Sequence, residues 1–365
     1  MKLKVTQANL ARALGVVSRV AASRTTLPIL SNILIKAEKN TLTVSATNLE
    51  IGITCTVAGK VDEEGSITIP ARLMTDFVSN LPDGNIDLTL DGQSLLIQSD
   101  KYQSTINGIP SDDFPTLPDI ENSSAHSVPA ADLKKALQQT VFAASSDEAR
   151  QVLTAVFTHT HEGKLHIVAT DSYRLAERSL AENKEEFGLL VPADTYQELL
   201  RAIDDNSDTV NYSYDEAQVM FEYGDIKIIS RLIDGAYPDY RQLIPKKGEV
   251  EFSITRDDFI NITKVSSLFA KESAGSITLD VDEDSQEVSI RSIASQVGEN
   301  TSRADAEVKG SGNVTLNSRY LLDALNAFSG SKLTFSFSST TSPCVLTSAD
   351  SKDADYLHIV MPLRS

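Results

Sequence analysis

Only two cysteines, Cys55 and Cys344, occur in 365 residues, too few for a disulfide framework. Five histidines stock the chain poorly for metal sites or histidine-centred catalysis. No stretch approaches the roughly 18 uncharged apolar residues that a membrane-spanning helix needs. The opening MKLKVTQANLARAL lacks the hydrophobic centre of a signal peptide, so a cytoplasmic protein away from membranes is expected. Motifs of the common chemistries are missing as well: GxxxxGKS/T, GxGxxG, CxxC, HExxH and GxSxG do not occur. Positive charge is scarce, with 33 Lys and Arg against 51 Asp and Glu, and the net charge of −18 argues against binding nucleic acid through overall charge.

What is present is an ordinary globular composition, 41% apolar and 23% charged, in a chain long enough for two or three domains. The charge is uneven. Met1 to Ala37 contains no acidic residue, while Lys2, Lys4, Arg12, Arg19, Arg24 and Lys36 give that stretch a local charge of +6.

The chain also repeats itself. Ala46-Thr47-Asn48-Leu49-Glu50 after the alternating run TLTVSAT recurs 123 residues later as Ala169-Thr170-Asp171-Ser172-Tyr173 after KLHIVAT. Phe114-Pro115 recurs as Tyr237-Pro238 at the same interval, and Leu10 and Leu14 match Leu133 and Leu137, each pair spaced i, i+4 on one helical face. A third copy opens near Phe259 with Thr255-x-x-Asp258 as a capping box. A second helix follows a short strand ending in Pro or Asn; Leu73 and Phe77 align with Tyr196 and Leu200 and with Leu321 and Leu325. Period-2 runs such as SITI, NIDLTL, SLLIQS, TVNYSY, QVMFEY, IKIIS and KLTFSFS predict strands. The expected fold class is α+β: three tandem domains, 1–121, 122–246 and 247–365, joined at TLPDIENSSAHS and PKKGEV. Each reads as helix, two or three strands, helix, two or three strands, in mostly antiparallel sheets with the six helices on one face.

Candidate chemistry is thin. His159-Thr160-His161 puts two imidazoles on one strand face, but without a third ligand it reads as polar strand surface. Asp171, Ser172 and His166 could be imagined as the centre of a hydrolase; with no oxyanion loop, a turn after a strand accounts for them better. No catalytic residue, metal site or cofactor is expected.

With Ala169-Thr170-Asp171-Ser172-Tyr173-Arg174-Leu175-Ala176, Tyr237-Pro238-Asp239-Tyr240-Arg241, Leu27-Pro28-Ile29-Leu30 and the terminal Val360-Met361-Pro362-Leu363-Arg364 in order, the chain resembles, end to end, the bacterial sliding clamp, the beta subunit of the replicative DNA polymerase III. The resemblance implies a non-catalytic processivity factor: a head-to-tail homodimer whose six domains close a ring around duplex DNA, without sequence preference. It tethers the replicative polymerase, the clamp loader and repair proteins that carry a short clamp-binding motif. Twelve helices at roughly 8 to 10 Å between axes would enclose a hole of about 25 Å, room for a duplex and a layer of water. Contacts with DNA should then be few and directed at the backbone. A reading as a scaffold that shares the C-terminal pocket but leaves DNA unembraced is the rival.

The resemblance also assigns residues. Arg24 falls where the family has a DNA-contacting arginine; Arg12, Arg19 and Arg72 join it, with Lys134, Lys135, Arg201, Lys264 and Arg319 on the other presumed lining helices. The partner-peptide pocket would comprise Leu153, Thr170, Ser172, Tyr173, Arg174, Leu175, Pro238, Leu243, Pro343, Ile359, Met361, Pro362, Leu363 and Arg364. Such an apolar cleft would anchor a leucine and an aromatic of the partner. Ser172 stands in place of a glycine and Leu363 in place of a methionine in one common family pattern, which bears on partner preference. For ring closure, Tyr102 and Ile106 of one subunit would meet Leu268 and Phe269 of the other.

Overall fold

The computed structural model describes residues 1–21, 27–39, 41–120, 126–183, 185–204, 209–245, 248–294 and 298–363. One order of elements runs through the chain three times. In the first copy it is β1 (Lys2–Thr6), α1 (Gln7–Val17), β2 (Asn32–Glu38), β3 (Thr41–Thr47), β4 (Ile51–Glu63), β5 (Gly65–Pro70), α2 (Ala71–Ser79), β6 (Asn85–Asp91), β7 (Ser94–Ser99) and β8 (Tyr102–Asn107). The second has β9 (His126–Pro129), α3 (Ala130–Thr140), β10 (Ala155–His161), β11 (Lys164–Thr170), β12 (Arg174–Glu182), β13 (Gly188–Pro192), α4 (Ala193–Ala202), β14 (Thr209–Tyr214), β15 (Gln218–Tyr223) and β16 (Ile226–Arg231). The third has β17 (Val250–Thr255), α5 (Arg256–Phe269), β18 (Ser276–Asp282), β19 (Glu287–Ala294), β20 (Gly298–Asp305), β21 (Glu307–Lys309), β22 (Gly312–Asn317), α6 (Ser318–Ala327), β23 (Lys332–Phe337), β24 (Cys344–Ser348) and β25 (Tyr356–Val360). A short strand thus precedes the first helix of each copy, and at least four strands separate the two helices, more than the alternation alone suggested.

Local chemistry sets these boundaries. The Thr6 hydroxyl accepts from the Asn9 N–H and caps α1; Thr255 accepts from the Asp258 N–H and caps α5, as the capping-box spacing predicts. The second helices start after Pro70, Pro192 and Asn317, and their fourth residues, Met74, Tyr196 and Leu321, are all buried. This start shifts the first copy by one position from the sequence alignment. Met74 and Val78 form the core face, while Leu73 is 54% exposed. In the first helices Leu10, Leu14, Leu133 and Leu137 are buried as their spacing predicts.

Cα packing divides the chain into two compact units. The first, residues 1–131 and 194–232, holds a twelve-stranded sheet ordered β8-β7-β6-β1-β4-β16-β15-β14-β9, with β3, β2 and β5 attached beside β4. β4 is long enough to serve twice: Leu42 and Val44 face its first half at Val57 and Cys55, and Leu3 and Val5 pair with its second half at Val61 and Gly59. Its beginning pairs with β16, Ile51 against Ser230 and Cys55 against Ile226, which joins the first copy to the second. The second unit, residues 132–193 and 233–365, holds a nine-stranded sheet ordered β13-β10-β11-β12-β25-β24-β23-β17-β21 and a four-stranded sheet ordered β20-β19-β18-β22. There β12 pairs with β25, Arg174 against Val360 and Arg178 against Tyr356, and joins the second copy to the third. All named strand pairs are antiparallel. Among the described residues β8 and β20 each have a single neighbour. No helix among the described residues is long and apolar enough to cross a membrane.

Candidate partner-peptide site

The repeated Ala-Thr motif builds the same turn twice. After β3 the Asn48 side-chain oxygen accepts from the N–H groups of Glu50 and Ile51; after β11 the Asp171 carboxylate accepts from those of Tyr173 and Arg174. Leu49 and Ser172 occupy the left-handed region at φ 78° and 77°. The Arg150 guanidinium donates to the Ser172 hydroxyl at 2.8 Å and ties the second turn to the segment that carries Leu153.

This turn launches β12 with alternate side chains on opposite faces of the sheet. On one face lies Arg174, 9% exposed, whose guanidinium donates to Asp171 at 3.0 Å, Asp323 at 2.6 Å and the Phe142 carbonyl at 2.8 Å, stacked between the rings of Phe142 and Tyr320. On the other, Leu175 packs with Val168, Tyr240 and Ile359, against the half-buried Phe157, Tyr237, Ile244, Val345, Leu357 and Met361. The chain beyond β25 is pinned at two points: the Met361 N–H donates to the Tyr173 carbonyl and the Leu363 N–H to the Thr315 carbonyl, each at 2.8 Å. Met361, Pro362 and Leu363 are half-buried. Around them Tyr173, 57% exposed and stacked on Tyr320, Leu243, 50% exposed, and the exposed Pro238 offer apolar surface.

The fourteen residues of the expected pocket therefore divide. Leu153, Thr170, Arg174, Leu175 and Ile359 are buried, Pro343, Met361, Pro362 and Leu363 are half-buried, Ser172, Tyr173, Pro238 and Leu243 are exposed, and Arg364 lies outside the described residues. Sequence reasoning missed Tyr320, Asp323, Phe142 and Arg150, which come from other elements and were signalled by no motif.

The same hydrogen bonds dispose of a hydrolase. Asp171 is spent on its own turn and on Arg174, Ser172 faces Arg150, and His166 turns to Glu177 at 2.7 Å. Both thiols are buried, and burial pushes Cys55 and Cys344 up to about 12, far from a nucleophilic thiolate. Among the described residues no three His, Cys, Asp or Glu are grouped to hold a metal.

Arg24 lies outside the described residues. Arg12, on α1, pairs with Asp225, and Arg19 stands 4.0 Å from Glu198, which also takes Arg201. Arg72 on α2 is the most open of the three described, its side chain 96% exposed and 3.8 Å from Asp76. Lys135 contacts the buried Asp353 at 3.0 Å and is committed to the fold.

Three family models match in succession: the N-terminal domain of the DNA polymerase III beta subunit over residues 1–118, its central domain over 127–239 and its C-terminal domain over 241–364. A beta sliding clamp from Synechocystis is 34% identical, with 100% of this chain and 99% of the relative aligned. The chain belongs to the beta sliding clamp family. The Bacillus subtilis sliding clamp is similar in structure at a TM-score of 0.94 and 28% identity over 100% of this chain and 99% of that one. A Pseudomonas aeruginosa sliding clamp solved bound to griselimycin reaches 0.94 at 27% identity, with both chains covered in full.

Of the expected interface residues of the clamp, Tyr102 on β8 is 49% exposed and Leu268 at the end of α5 is 63% exposed, beside the half-buried Phe269. Ile106 is 4% exposed and belongs to the core of its own unit. Leu73, Val265 and Ile293 add exposed apolar surface that no motif assigned to an interface.

Proposed function

We infer that this chain is a DNA sliding clamp, a non-catalytic ring that encircles duplex DNA and tethers polymerases through a hydrophobic peptide-binding pocket. Three clamp domains, 1–121, 122–246 and 247–365, make up each half of the ring, and the protein acts in the cytoplasm. The observation that carries this reading is the repeat in the sheets. β4 of the first copy takes β16 of the second, and β12 of the second takes β25 of the third. In the same element order β20 is the third-copy counterpart of β4 and β12, and β8 is the first-copy counterpart of β16 and β25. Among the described residues both have a bare edge, which a protein must cover or blunt. Pairing β20 of one subunit with β8 of another repeats the internal junctions and closes a head-to-tail dimer, with Tyr102 and Leu73 set against Leu268, Phe269 and Val265.

Arg24, Arg12, Arg19 and Arg72 touch phosphates. The ion pair of Arg12 is half-exposed and therefore weak, about 0 to 1 kcal/mol, and Arg19 stands a long 4.0 Å from a Glu198 that keeps Arg201, so either arginine can exchange its carboxylate for DNA. Replicative polymerase, clamp loader and repair proteins dock a leucine and an aromatic against Leu175, Ile359, Met361, Pro238 and Leu243. Topology is tested by loading the protein onto nicked circular DNA and then linearising the circle. Retention should collapse; an unchanged half-life on the linear product defeats the reading.

A further inference from the structure

The His159-Thr160-His161 strand and the Tyr240-Arg241 pair, which the tethering function leaves unused, meet beside the floor of the candidate pocket. Tyr240 opens a single 3₁₀ turn, Tyr240–Leu243, in the segment that carries Pro238 and Leu243. Its ring is 3% exposed and packs with Leu175 and Ile359. Its hydroxyl lies 3.0 Å from His159 Nε2 and 3.3 Å from Glu177 Oε1. Glu177 is otherwise served, by His166 at 2.7 Å and Arg241 at 3.3 Å. The phenol has one proton, which it donates to Glu177, so the neutral His159 ring carries its own proton on Nε2 and donates it to the phenol oxygen. Burial supports that state: it holds His159 down at about 4, which keeps the ring neutral, while burial and Glu177 push the Tyr240 phenol up so that it stays a donor.

The fold does not demand this network. One repeat earlier, Leu117 stands where Tyr240 does and lies 2.6 Å from where a Cβ on Gly52, the counterpart of Leu175, would sit; Thr54 stands where Glu177 does and its hydroxyl meets that of Ser45 at 2.9 Å. The first junction is closed by apolar packing, and the second by a buried tyrosine with two polar partners.

We propose that Tyr240 is a positioning residue of the peptide pocket, fixed through its hydroxyl to His159 and Glu177 so that the 237–243 segment holds Pro238 and Leu243 as a rigid wall opposite the C-terminal strand. A wall already ordered spares the partner the cost of ordering it on binding. The inference rests on the pocket reading above.

The test is fluorescence anisotropy with a labelled synthetic peptide ending in leucine and phenylalanine. Tyr240→Phe keeps the ring and removes both hydrogen bonds of the hydroxyl, so Kd should rise roughly three- to tenfold, with dimer size by light scattering unchanged. His159→Leu, which removes one of the two, should weaken binding by no more than that, and the double variant no further than Tyr240→Phe. His159→Gln, which restores a donor, should stay within about twofold of the parent. In the parent, 15N imidazole spectra should show His159 protonated at Nε2 with that N–H hydrogen-bonded; Tyr240→Phe should move the Nε2 signal towards that of a free N–H. Equal Kd values for Tyr240→Phe and the parent, or single effects that add, overturn the proposal and leave the pocket standing. Failure of the parent to bind the peptide at all overturns the pocket and this proposal together.

Discussion

Arg174 shows how much one side chain can fix. Its guanidinium satisfies two carboxylates and a carbonyl and fills the gap between two rings while almost wholly buried. Arg174→Met removes the charge but leaves Asp171 and Asp323 without it, and breaking a buried pair in this way costs about 3 to 5 kcal/mol. A clear fall in the urea midpoint and loss of peptide binding are expected. Arg174→Lys, a point charge that cannot reach all three acceptors, should fall between. Acid sensitivity is also a residue-scale property. Burial holds His159 near 4, against which the Thr160 carbonyl and Glu177 pull it up and His166 and Arg241 push it further down. Burial, with Arg174 adding its charge, holds His358 near 3. Both sit below the 6.5 of an ordinary histidine, so between these values the unfolded chain binds protons that the folded chain refuses. Stability is complete above about pH 6.5 and drains as pH falls towards 4, each histidine giving up about 1.4 kcal/mol for every pH step of one below 6.5. Among the described residues His358 Nε2 has no partner, but the buried Tyr356 hydroxyl lies 3.0 Å from Nδ1, so His358→Phe should cost about 1 to 3 kcal/mol in urea at pH 7.5 by stranding that phenol, and flatten the further loss between pH 6.5 and 4. An unaltered pH profile in that variant would show that His358 does not carry the effect.

At the scale of elements, the sequence was legible wherever the signal was local. Leucines at i, i+4 gave the buried faces of α1 and α3, alternation gave the strands, and Thr255 announced the start of α5, because each depends on neighbours within about a turn. Where the signal was not local, legibility stopped. Nothing near Ile51 says that its strand pairs with Ser230, or near Arg174 that its strand pairs with Val360. The one-position shift in α2 arose because alignment by interval cannot see that Pro70 fixes the helix start. In the same way the repeat gave the pocket's turn and tail, but Phe142, Tyr320 and Asp323 reach Arg174 only through tertiary packing. The exposed faces these elements leave make a prediction. Leu268 is 63% exposed at the end of α5, so Leu268→Glu removes little core and should leave the thermal midpoint within a few degrees. If that face closes the ring, the variant should run as a monomer in light scattering at micromolar concentration. A dimer of parental affinity would move the interface elsewhere.

For the whole molecule, the puzzle is a DNA-associated protein with a net charge of −18. Adhesion to a polyanion would require many cations, and the structure has spent some of its own: Lys135 on Asp353 and Arg201 on Glu198. Threading removes the requirement, since a closed ring stays on a circle whatever its affinity for phosphate. The two modes differ in their response to salt. Binding that neutralises Z phosphates weakens with log salt at a slope of about −0.9Z. On the proposed closure, escape from a circle is set by opening of the β8–β20 junctions, where sheet hydrogen bonds and apolar contacts would respond weakly to ionic strength. Between about 50 and 200 mM salt, retention on a circle should therefore change by less than twofold, whereas a protein held by six or more phosphate contacts would lose about a thousandfold in affinity. Combined replacement of Arg12, Arg19, Arg24 and Arg72 by alanine should slow loading and reduce the shallow salt slope on linear duplex by up to about four, one for each arginine that no longer reaches a phosphate. It should leave the half-life on an already loaded circle unchanged. A parallel collapse of that half-life would mean that charge, not closure, holds the protein on DNA.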